Sequence, residues 1–482
     1  MEMNSSIRRL FIVSVILFAS LMAMLGYLQV IAADSLAENP QNTRKIYKQM
    51  RIERGLILAA DRSLLAGNRL EEELYHREYP LGDLAPHLTG YSDPTYGQTG
   101  IERSLNSYLT GTADEVELVY LFDTLMGKEK RGADVRLALD PVIQKAAISQ
   151  LQSIGKRGAV VVLDVNTGAV KAMVSAPSYD PNQLVANWEQ LNADPGAPLL
   201  NRATQGLYTP GSSLKLITTA AALENGFQPD SSFNDENGNI VIHGNTINNW
   251  RDTPFGRHDL SEAFSQSINT TFAQVGDRLG QGSLLDYQQR FGLYEKPQLE
   301  LPSGEIQASG RYLDGDLASP GDPLDPVQNA WLAIGQENML VTPLQMAMIA
   351  QAIANEGKMM KPYLVDSIAN HNGVIIRQTR PEQWKDPISP ATAGQLKEMM
   401  IKVVNEGTGS RARTSLVQIA GKTGTAEIEG SGPNAWFVGF APADSPRFAI
   451  AVVVEDSDSG GGISGPVARD TLLAALGYGP DN

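Results

Sequence analysis

Strongly apolar segments rich in valine and alanine stand at the two ends of a long region, and they constrain the fold more than any other feature of the sequence. The segments are residues 159–164, 169–174, 435–440 and 448–454. Val165-Asn166-Thr167-Gly168 joins the first two and is a turn sequence typical of a β-hairpin. The residues between the early and late segments have mostly helical patterns, for example 343–355. We therefore predict an α+β domain in which both ends of the region close one sheet.

Composition places the chain among globular proteins with more than one domain. Its 482 residues are 42% hydrophobic and 7% aromatic, which is enough for a substantial core. The formal net charge of −15, with no basic stripe, argues against a nucleic-acid partner. Cysteine is absent, so no disulfide, thiol chemistry or cysteine-based zinc site is possible. The five histidines are scattered without metal-binding spacing, so we expect neither a metal nor a cofactor.

An uncharged segment near the N-terminus predicts a membrane anchor. Residues 10–33 carry no charged side chain, and as a helix they are roughly 36 Å long, enough to cross a bilayer core of about 30 Å. Arg8-Arg9 precedes this segment, whereas Asp34 and Glu38 follow it. The positive-inside rule then predicts a cytoplasmic tail, residues 1–9, and an extracytoplasmic remainder. The segment is longer than a usual secretory signal, so we predict a single-pass anchor that is not cleaved.

The segment that follows Tyr208-Thr209-Pro210-Gly211 predicts a helix with a nucleophile at its start. Ser212 occupies the position of an N-cap residue, and Asn225-Gly226 provides a helix stop. Lys215 lies three residues after Ser212, so the two side chains share one side of the helix. An amine beside a hydroxyl can activate a weak oxygen nucleophile, and the N–H groups of a helix start can stabilise an oxyanion. Ser153-Ile154-Gly155-Lys156 repeats the pattern, but the glycine in its middle argues against a helix.

A second pattern places a hydroxyl and an amide two residues apart. Ser267 and Asn269 follow an apolar helical stretch, and on an extended loop they would point together into a cleft. There the hydroxyl could relay a proton, and the amide could hold both a lysine and a substrate carbonyl. Ser104-Leu105-Asn106 and Ser232-Phe233-Asn234 have the same spacing. We favour Ser267 because the helical stretch before it could fix it against the helix of Ser212.

The third pattern lies in Gln418–Glu427, which predicts a strand at the edge of the sheet. Its substrate-binding candidates are Lys422, Thr423, Gly424 and Thr425. The lysine charge and the threonine hydroxyls suit a carboxylate, and the glycine would let a substrate backbone lie against the strand. A phosphate-binding loop is the alternative, but that motif requires a glycine where the chain has Leu416. Gly460-Gly461-Gly462 is interpreted as a flexible surface loop and not as a phosphate cradle.

These three patterns, S-x-x-K, S-x-N and K-T-G in this order, are the motifs of penicillin-recognising serine transpeptidases. The chain resembles a class B penicillin-binding protein of the actinobacterial penicillin-binding protein A type over nearly its whole length. Further segments similar to that family are Arg54-Gly55-x-Ile57, Gly100-Ile101-Glu102, Gly158–Asn182, Pro198–Arg202, Gly335-Gln336, Thr342-Pro343, Ala354-Asn355 and Ala435–Pro442. The chain departs from the family after Asp61-Arg62, where it lacks the usual Asn-Gly. That departure concerns the N-terminal region and not the chemistry.

The resemblance implies a domain order and a fold. After the tail and the anchor, residues 34–155 would form a small mixed pedestal domain without a reactive site. Residues 156–482 would form a transpeptidase domain with the fold of penicillin-binding proteins and serine β-lactamases, an antiparallel sheet with flanking helices and a helical subdomain. A class A protein would need a glycosyltransferase domain, and the pedestal is too short to contain one. The resemblance suggests instead a separate partner, a glycosyltransferase of the SEDS family.

The resemblance also implies a peptidoglycan D,D-transpeptidase. Ser212 would attack the penultimate carbonyl of a stem peptide ending in D-Ala-D-Ala, and β-lactams would acylate it as substrate mimics. Lys215 would be the base, with its pKa lowered by burial and by Lys422. Ser267 would relay a proton, and Asn269 would orient Lys215 and the substrate. The remaining implied roles are carboxylate binding by Lys422, Thr423 and Thr425, and an oxyanion hole from the backbone N–H groups of Ser212 and Thr425.

Three alternatives share these motifs. A β-lactamase would need a group that activates a deacylating water, and no Glu-x-x-Leu-Asn sequence lies between Ser267 and Lys422. A β-lactam sensor would need a cytoplasmic effector region, for which residues 1–9 leave no room. A catalytically silent scaffold that only holds other wall enzymes would normally have lost one motif, whereas all three are intact here.

Overall fold

The structure is a computed structural model, and it describes residues 2–27, 50–116, 131–428, 431–457 and 460–479. Several predicted segments fall partly outside these ranges. They are the end of the anchor (28–33), two parts of the pedestal (34–49 and 117–130), the turn around Glu429-Gly430, and the last residues of the transpeptidase domain (480–482).

The elements are numbered in chain order. The α-helices are α1 (Glu2–Gly26), α2 (Pro86–Thr89), α3 (Gly100–Ser104), α4 (Asn106–Leu109), α5 (Pro141–Ile154), α6 (Leu184–Ala193), α7 (Lys215–Glu224), α8 (Leu260–Gln266), α9 (Asn269–Arg290), α10 (Pro326–Ala333), α11 (Pro343–Ala354), α12 (Pro390–Glu406) and α13 (Gly460–Ala475). The strands are β1 (Ile57–Leu58), β2 (Leu64–Glu71), β3 (Leu74–Glu78), β4 (Ser92–Asp93), β5 (Gly97–Gln98), β6 (Asp134–Leu137), β7 (Gly158–Asp164), β8 (Val170–Ala176), β9 (Ser232–Asp235), β10 (Asn239–Ile242), β11 (Asn245–Asn248), β12 (Gly256–Asp259), β13 (Gly310–Leu313), β14 (Asp316–Leu317), β15 (Met339–Leu340), β16 (Met359–Met360), β17 (Val365–Ala369), β18 (Ile375–Gln378), β19 (Gln383–Lys385), β20 (Ala420–Ile428), β21 (Ser431–Ala441) and β22 (Phe448–Val454).

The N-terminal helix α1 has the length and composition of a membrane span. Its apolar stretch, Ile7–Gly26, is 20 residues long with a mean hydropathy of 2.2, and none of it is buried against the rest of the protein. An exposed apolar surface of this length is compatible with a single crossing of a bilayer. The finding fits a single-pass membrane protein.

The central sheet has five strands in the order β20-β21-β22-β7-β8, and every neighbouring pair is antiparallel. β7 and β8 are the predicted early hairpin, and β22 joins them to the late strands through pairs such as Val452 with Val160. The prediction that both ends of the region close one sheet is therefore confirmed. β20, which carries the K-T-G motif, is an edge strand of this sheet, as the sequence predicted.

Helices cover both faces of the central sheet, which explains why its strands read as continuous apolar runs. Side chains alternate between the two faces of a strand. Val160 and Val162 accordingly belong to the core cluster that contains Leu151 of α5 and Leu472 of α13. Val161 faces the other core cluster, together with residues of α11. Both faces of the sheet are therefore buried, and the edge strand β20 pairs with a well-packed sheet.

The last helix, α13, begins at Gly460. The interpretation of Gly460-Gly461-Gly462 as a surface loop was wrong, because these glycines lie in α13. A Cβ atom at Gly461 would lie 2.2 Å from the carbonyl oxygen of Thr408. The glycine thus lets the start of the helix pack against the loop that follows α12.

The second large sheet has the order β18-β17-β6-β1-β2-β3 and forms the pedestal. β17 and β18 come from within the predicted transpeptidase region, so the sheet crosses the linear division at residue 156. Asp134–Leu137 alternates between half-buried and buried positions, as a strand of this kind should. Beside the sheet, the fully buried carboxylate of Glu102 pairs with Arg54 at 2.6 Å and with Arg77 at 2.5 Å.

Candidate active site

The turn that carries Ser212 is tighter than predicted. Gly211–Leu214 forms a 3₁₀ turn that leads directly into α7. The prediction that Ser212 is the helix N-cap was wrong: the N-cap of α7 is Leu214, and no side chain makes a capping hydrogen bond. The backbone N–H of Lys215 donates to the carbonyl of Ser212. Because side chains three residues apart eclipse each other in a 3₁₀ turn, this geometry places Lys215 beside Ser212.

Backbone contacts fix the Ser212 turn against the edge of the central sheet. Gly211 has a φ of 50°, a conformation that favours glycine, and its N–H donates to the carbonyl of Gly335 at 3.1 Å. A Cβ atom at Gly424 would lie 2.7 Å from the carbonyl oxygen of Pro210. The missing side chain of Gly424 therefore makes room for the nucleophile turn.

Lys215 is fully buried and its amine contacts three oxygen atoms. Nζ donates to the carbonyl of Ser267 at 2.9 Å, to Oδ1 of Asn269 at 2.8 Å and to Oγ of Ser267 at 3.4 Å. It also lies 5.0 Å from the centroid of the Phe272 ring. No carboxylate is among these contacts, so they do not favour the charged amine as an ion pair would.

Ser267 lies at the junction of two helices and not on an extended loop, which corrects the prediction. It is the C-cap of α8 in the left-handed conformation, with a φ of 62°, and Asn269 is the first residue of α9. A left-handed residue other than glycine costs about 1–3 kcal/mol and persists where its surroundings impose it. Its hydroxyl accepts hydrogen bonds from Nζ of Lys422 at 3.0 Å and from Lys215. The junction thus directs both residues of the S-x-N motif toward the amines.

Burial lowers the pKa of both lysines. Neither Lys215 nor Lys422 has exposed surface, and a dry environment disfavours the charged amine. Burial lowers the pKa of Lys215 well below its ordinary value, and the nearby charge of Lys422 lowers it further. Burial also lowers the pKa of Lys422 to about 7. The expected direction and causes for Lys215 are confirmed, and its amine is suited to accept a proton at neutral pH.

The lowered pKa of Lys422 predicts that the protein becomes more stable as the pH rises above 7. A lysine in the unfolded chain has a pKa of about 10.4, so between about pH 7 and 10 the unfolded state binds a proton that the folded state does not. This group alone should raise the free energy of unfolding by about 1.4 kcal/mol per pH unit in that window. We expect the melting temperature of Lys422→Met to rise less steeply with pH than that of the native protein. Lys156→Met, at an exposed lysine, serves as the control, and equal slopes in all three proteins would contradict a neutral Lys422.

The third motif lies on β20, between β21 on one side and the Ser212 turn on the other. Lys422 extends from this strand to Ser267, and its amine also donates to the carbonyl of Thr423 at 3.0 Å. The hydroxyl of Thr423 lies 2.6 Å from Oγ1 of Thr408. Thr425 pairs with Ala435 of β21, and its carbonyl oxygen lies beside Gly211. The structure therefore brings the predicted residues of all three motifs together.

Sequence reasoning missed a polar network that fixes Asn269. Its Nδ2 donates to the carbonyl of Asn248 at 3.1 Å, and the N–H of Thr270 donates to Oδ1 of Asn249 at 3.0 Å. Asn249 is buried and donates in turn to the carboxylate of Asp235, which also accepts from the Thr270 hydroxyl. No local sequence pattern links Asn248 and Asn249 to the site, because the network joins segments that are distant in the chain.

The other copies of the motifs make contacts elsewhere. Ser153 is exposed at the end of α5, which extends further than the glycine in this copy suggested. The contacts are Ser153 Oγ to the carbonyl of Gln150 at 2.8 Å, Ser104 Oγ to the carbonyl of Glu300 at 2.7 Å, and Arg257 Nε to Ser232 Oγ at 3.3 Å. Ser267 is thus the member of the S-x-N set that contacts both buried lysines. Among the residues that the structure describes, no group of three or more histidine and acidic side chains is arranged to hold a metal.

Two family models match the chain. Residues 158–473 match the penicillin-binding protein transpeptidase domain, and residues 54–135 match the penicillin-binding protein A dimerisation domain. The peptidoglycan D,D-transpeptidase PbpA of Mycolicibacterium smegmatis is 36% identical over 99% of this chain and 100% of its own length. The peptidoglycan D,D-transpeptidase MrdA of Acinetobacter baumannii is 30% identical over 82% of this chain and 65% of its own length.

Solved structures match the fold as well as the sequence. The ceftriaxone acyl-enzyme complex of penicillin-binding protein A from Mycobacterium tuberculosis has a TM-score of 0.82 at 33% identity and covers 89% of this chain and 100% of its own. The D,D-transpeptidase domain of a peptidoglycan glycosyltransferase from Eggerthella lenta has a TM-score of 0.78 at 38% identity and covers 89% of this chain and 99% of its own.

Proposed function

The chain belongs to the penicillin-binding proteins with a transpeptidase domain, and we propose on this basis which role each site residue has in the reaction. The protein is a class B, serine-type peptidoglycan D,D-transpeptidase. It cross-links stem peptides through an acyl-serine intermediate and is acylated by β-lactams. The observation that carries the proposed roles is that two buried amines meet at one hydroxyl, Ser267, beside the turn of Ser212.

In the acylation step Ser212 is the nucleophile and Lys215 is the base. The neutral amine takes the proton of the Ser212 hydroxyl while Oγ bonds to the penultimate D-Ala carbonyl carbon. Support comes from the lowered pKa of Lys215. A neutral amine has two N–H donors, which the Ser267 carbonyl and Oδ1 of Asn269 accept, so its lone pair is left to take the proton of Ser212. Collapse of the tetrahedral intermediate then breaks the peptide bond to the terminal D-Ala, whose nitrogen leaves as an amine after gaining a proton.

Ser267 delivers that proton. A hydroxyl has one O–H donor and two acceptor positions, and the two lysine amines occupy the acceptor positions. The O–H is therefore directed away from the amines and is available to the leaving nitrogen, while Ser267 is recharged by the proton that Lys215 took. An amine from a neighbouring stem peptide then attacks the acyl carbonyl and loses a proton to Lys215. The ester bond to Ser212 Oγ breaks as the amide of the cross-link forms, and Lys215 returns the proton to Oγ.

The edge strand β20 binds the substrate. Thr423 and Thr425 donate to the terminal carboxylate, while Gly424 keeps the strand close to the Ser212 turn. Lys422 is fully buried and has a pKa lowered to about 7, so only its protonated fraction adds positive potential, and its amine does not bind the carboxylate directly. The backbone N–H groups of Ser212 and Thr425 form the oxyanion hole, and one such donor lowers the barrier by about 3 kcal/mol.

A single labelling experiment tests the nucleophile and the membrane orientation. Intact cells that produce the protein are treated with a fluorescent penicillin too polar to cross the membrane, and the modified peptide is mapped by mass spectrometry. We expect one peptide of this protein to be labelled, with the modification at Ser212. We expect the labelling in intact cells because the positive charge of Arg8-Arg9 retains the N-terminus in the cytoplasm, so that the catalytic domain lies outside. Labelling that requires cell lysis would contradict the orientation, and a label on another residue would contradict the nucleophile.

The partner proposal follows from the same family. The chain is proposed to act with a glycosyltransferase of the SEDS family, which would supply the glycan strands that this transpeptidase cross-links. Its support is the resemblance of the pedestal and the fit of α1 to a membrane span. Co-purification of such a membrane protein with the full chain is the corresponding measurement, and its absence from cross-linked membranes would contradict the proposal.

A further inference from the structure

We propose that Thr408 is a positioning residue for the substrate carboxylate, because its hydroxyl sets the direction in which Thr423 donates. The inference rests on the proposed function, in which Thr423 binds that carboxylate. Thr408 lies in the connection between α12 and β20 and belongs to none of the three motifs. Its hydroxyl nevertheless lies 2.6 Å from the hydroxyl of Thr423, the second residue of the K-T-G motif.

The backbone around Thr408 is held from two sides. Its N–H donates to the carbonyl of Ser265 in α8 at 3.2 Å, and a Cβ atom at Gly407 would lie 2.2 Å from that same oxygen. On the other side the start of α13 packs so closely that a Cβ atom at Gly461 would lie 2.2 Å from the carbonyl oxygen of Thr408. The position of the Thr408 side chain is therefore preorganised by close backbone packing.

Exposure distinguishes the two threonines. Thr408 is an exposed residue, whereas Thr423 is 5% exposed. A hydroxyl that only tied a loop to a strand would be expected to be buried with its partner. The contact between an exposed threonine and a buried one instead leaves the pair partly accessible to solvent, from which an anion would arrive.

The number of available protons determines which of the two threonine hydroxyls donates the hydrogen bond between them. Each threonine hydroxyl has one proton to donate, and an ionised carboxylate can only accept. When Thr423 donates to the carboxylate, the 2.6 Å contact with Thr408 requires Thr408 to be the donor. A donated hydrogen bond polarises the accepting hydroxyl and strengthens the bond that it donates onward. Thr408 thus acts through Thr423 and favours ligands that carry a negative charge at this position.

The test compares two ligands and two substitutions. The ligands are benzylpenicillin and its methyl ester, which differ in the negative charge that Thr423 is proposed to bind. The substitutions are Thr408→Val, which removes the hydroxyl and keeps the shape, and Thr408→Ser, which keeps the hydroxyl. We expect Thr408→Val to lower the second-order acylation rate with benzylpenicillin about tenfold, equivalent to about 1.4 kcal/mol. We expect the rate with the ester to change less than about twofold, and Thr408→Ser to restore the native rate with the acid.

The control is Thr414→Val, at another threonine of the same connection, whose hydroxyl accepts from the N–H of Leu416. It should leave both rates unchanged. Equal losses with acid and ester would assign Thr408 a merely structural role and overturn the proposal, as would an unchanged acid rate in Thr408→Val or a failure of Thr408→Ser to restore it. Failure of the native protein to be acylated by benzylpenicillin would instead contradict the proposed function itself.

Discussion

Ser212→Ala is expected to abolish the covalent penicillin adduct while the protein stays folded. The substitution removes the proposed nucleophile, whereas the neighbouring Ser213 hydroxyl is buried and donates to the Pro210 carbonyl. Loss of a catalytic serine lowers the rate by about 10⁶-fold. Ser212 is partly exposed and makes no capping hydrogen bond, so its removal should change the melting temperature little. Gel fluorescence after treatment with a fluorescent penicillin gives the adduct, and thermal unfolding gives the fold.

The chain contains its own control for this experiment. Ser153→Ala removes the serine of the second S-x-x-K sequence, which is exposed at the end of α5 and donates to the Gln150 carbonyl. It should be labelled as strongly as the native protein. If the Ser212 variant were labelled to the same extent, the nucleophile would have to lie elsewhere.

Lys215→Met is expected to lower the acylation rate by about 10²–10⁴-fold, the range for loss of a general base. Methionine has a similar length and suits the dry environment, but it cannot take the Ser212 proton. The pH dependence gives a sharper readout. In the native protein only the neutral amine is a base, so acylation should fall as the pH drops through the lowered pKa of Lys215. In the variant this decline should disappear from the pH profile of stopped-flow acylation rates.

Stability provides a second readout for the same substitution. Oδ1 of Asn269 and the carbonyl of Ser267 lose the donor that Lys215 supplies, and because both are only partly buried we expect a cost below the roughly 1–3 kcal/mol of a fully buried unsatisfied acceptor. Removal of a buried amine that resists charging offsets part of this loss. Lys156→Met, in the exposed copy of the motif, should leave rate and pH profile unchanged. A native pH profile in the Lys215 variant would exclude this lysine as the base.

Local patterns predicted the elements that depend on neighbours in sequence. The continuous apolar run of β7 and the Asn-Thr-Gly turn indicated a hairpin, because strand propensity and turn chemistry act over a few residues. The predicted Ser212 cap failed for a related reason. A 3₁₀ turn and an N-cap have similar local sequences, and the choice between them was made by Gly335 and β20, which pack against the turn.

By itself the sequence determined the three motifs, the strands at both ends of the central sheet and the apolar stretch of α1. Only the tertiary structure decided that Ser267 sits between two amines, that β17 and β18 complete the pedestal sheet, and that Thr408 meets Thr423. The physical reason is range. The hydrophobic pattern of a strand or helix and the preference for a turn depend on residues close together in sequence. The burial that lowers the pKa of each lysine depends on segments distant in the chain, which exclude water from the amine when they pack together.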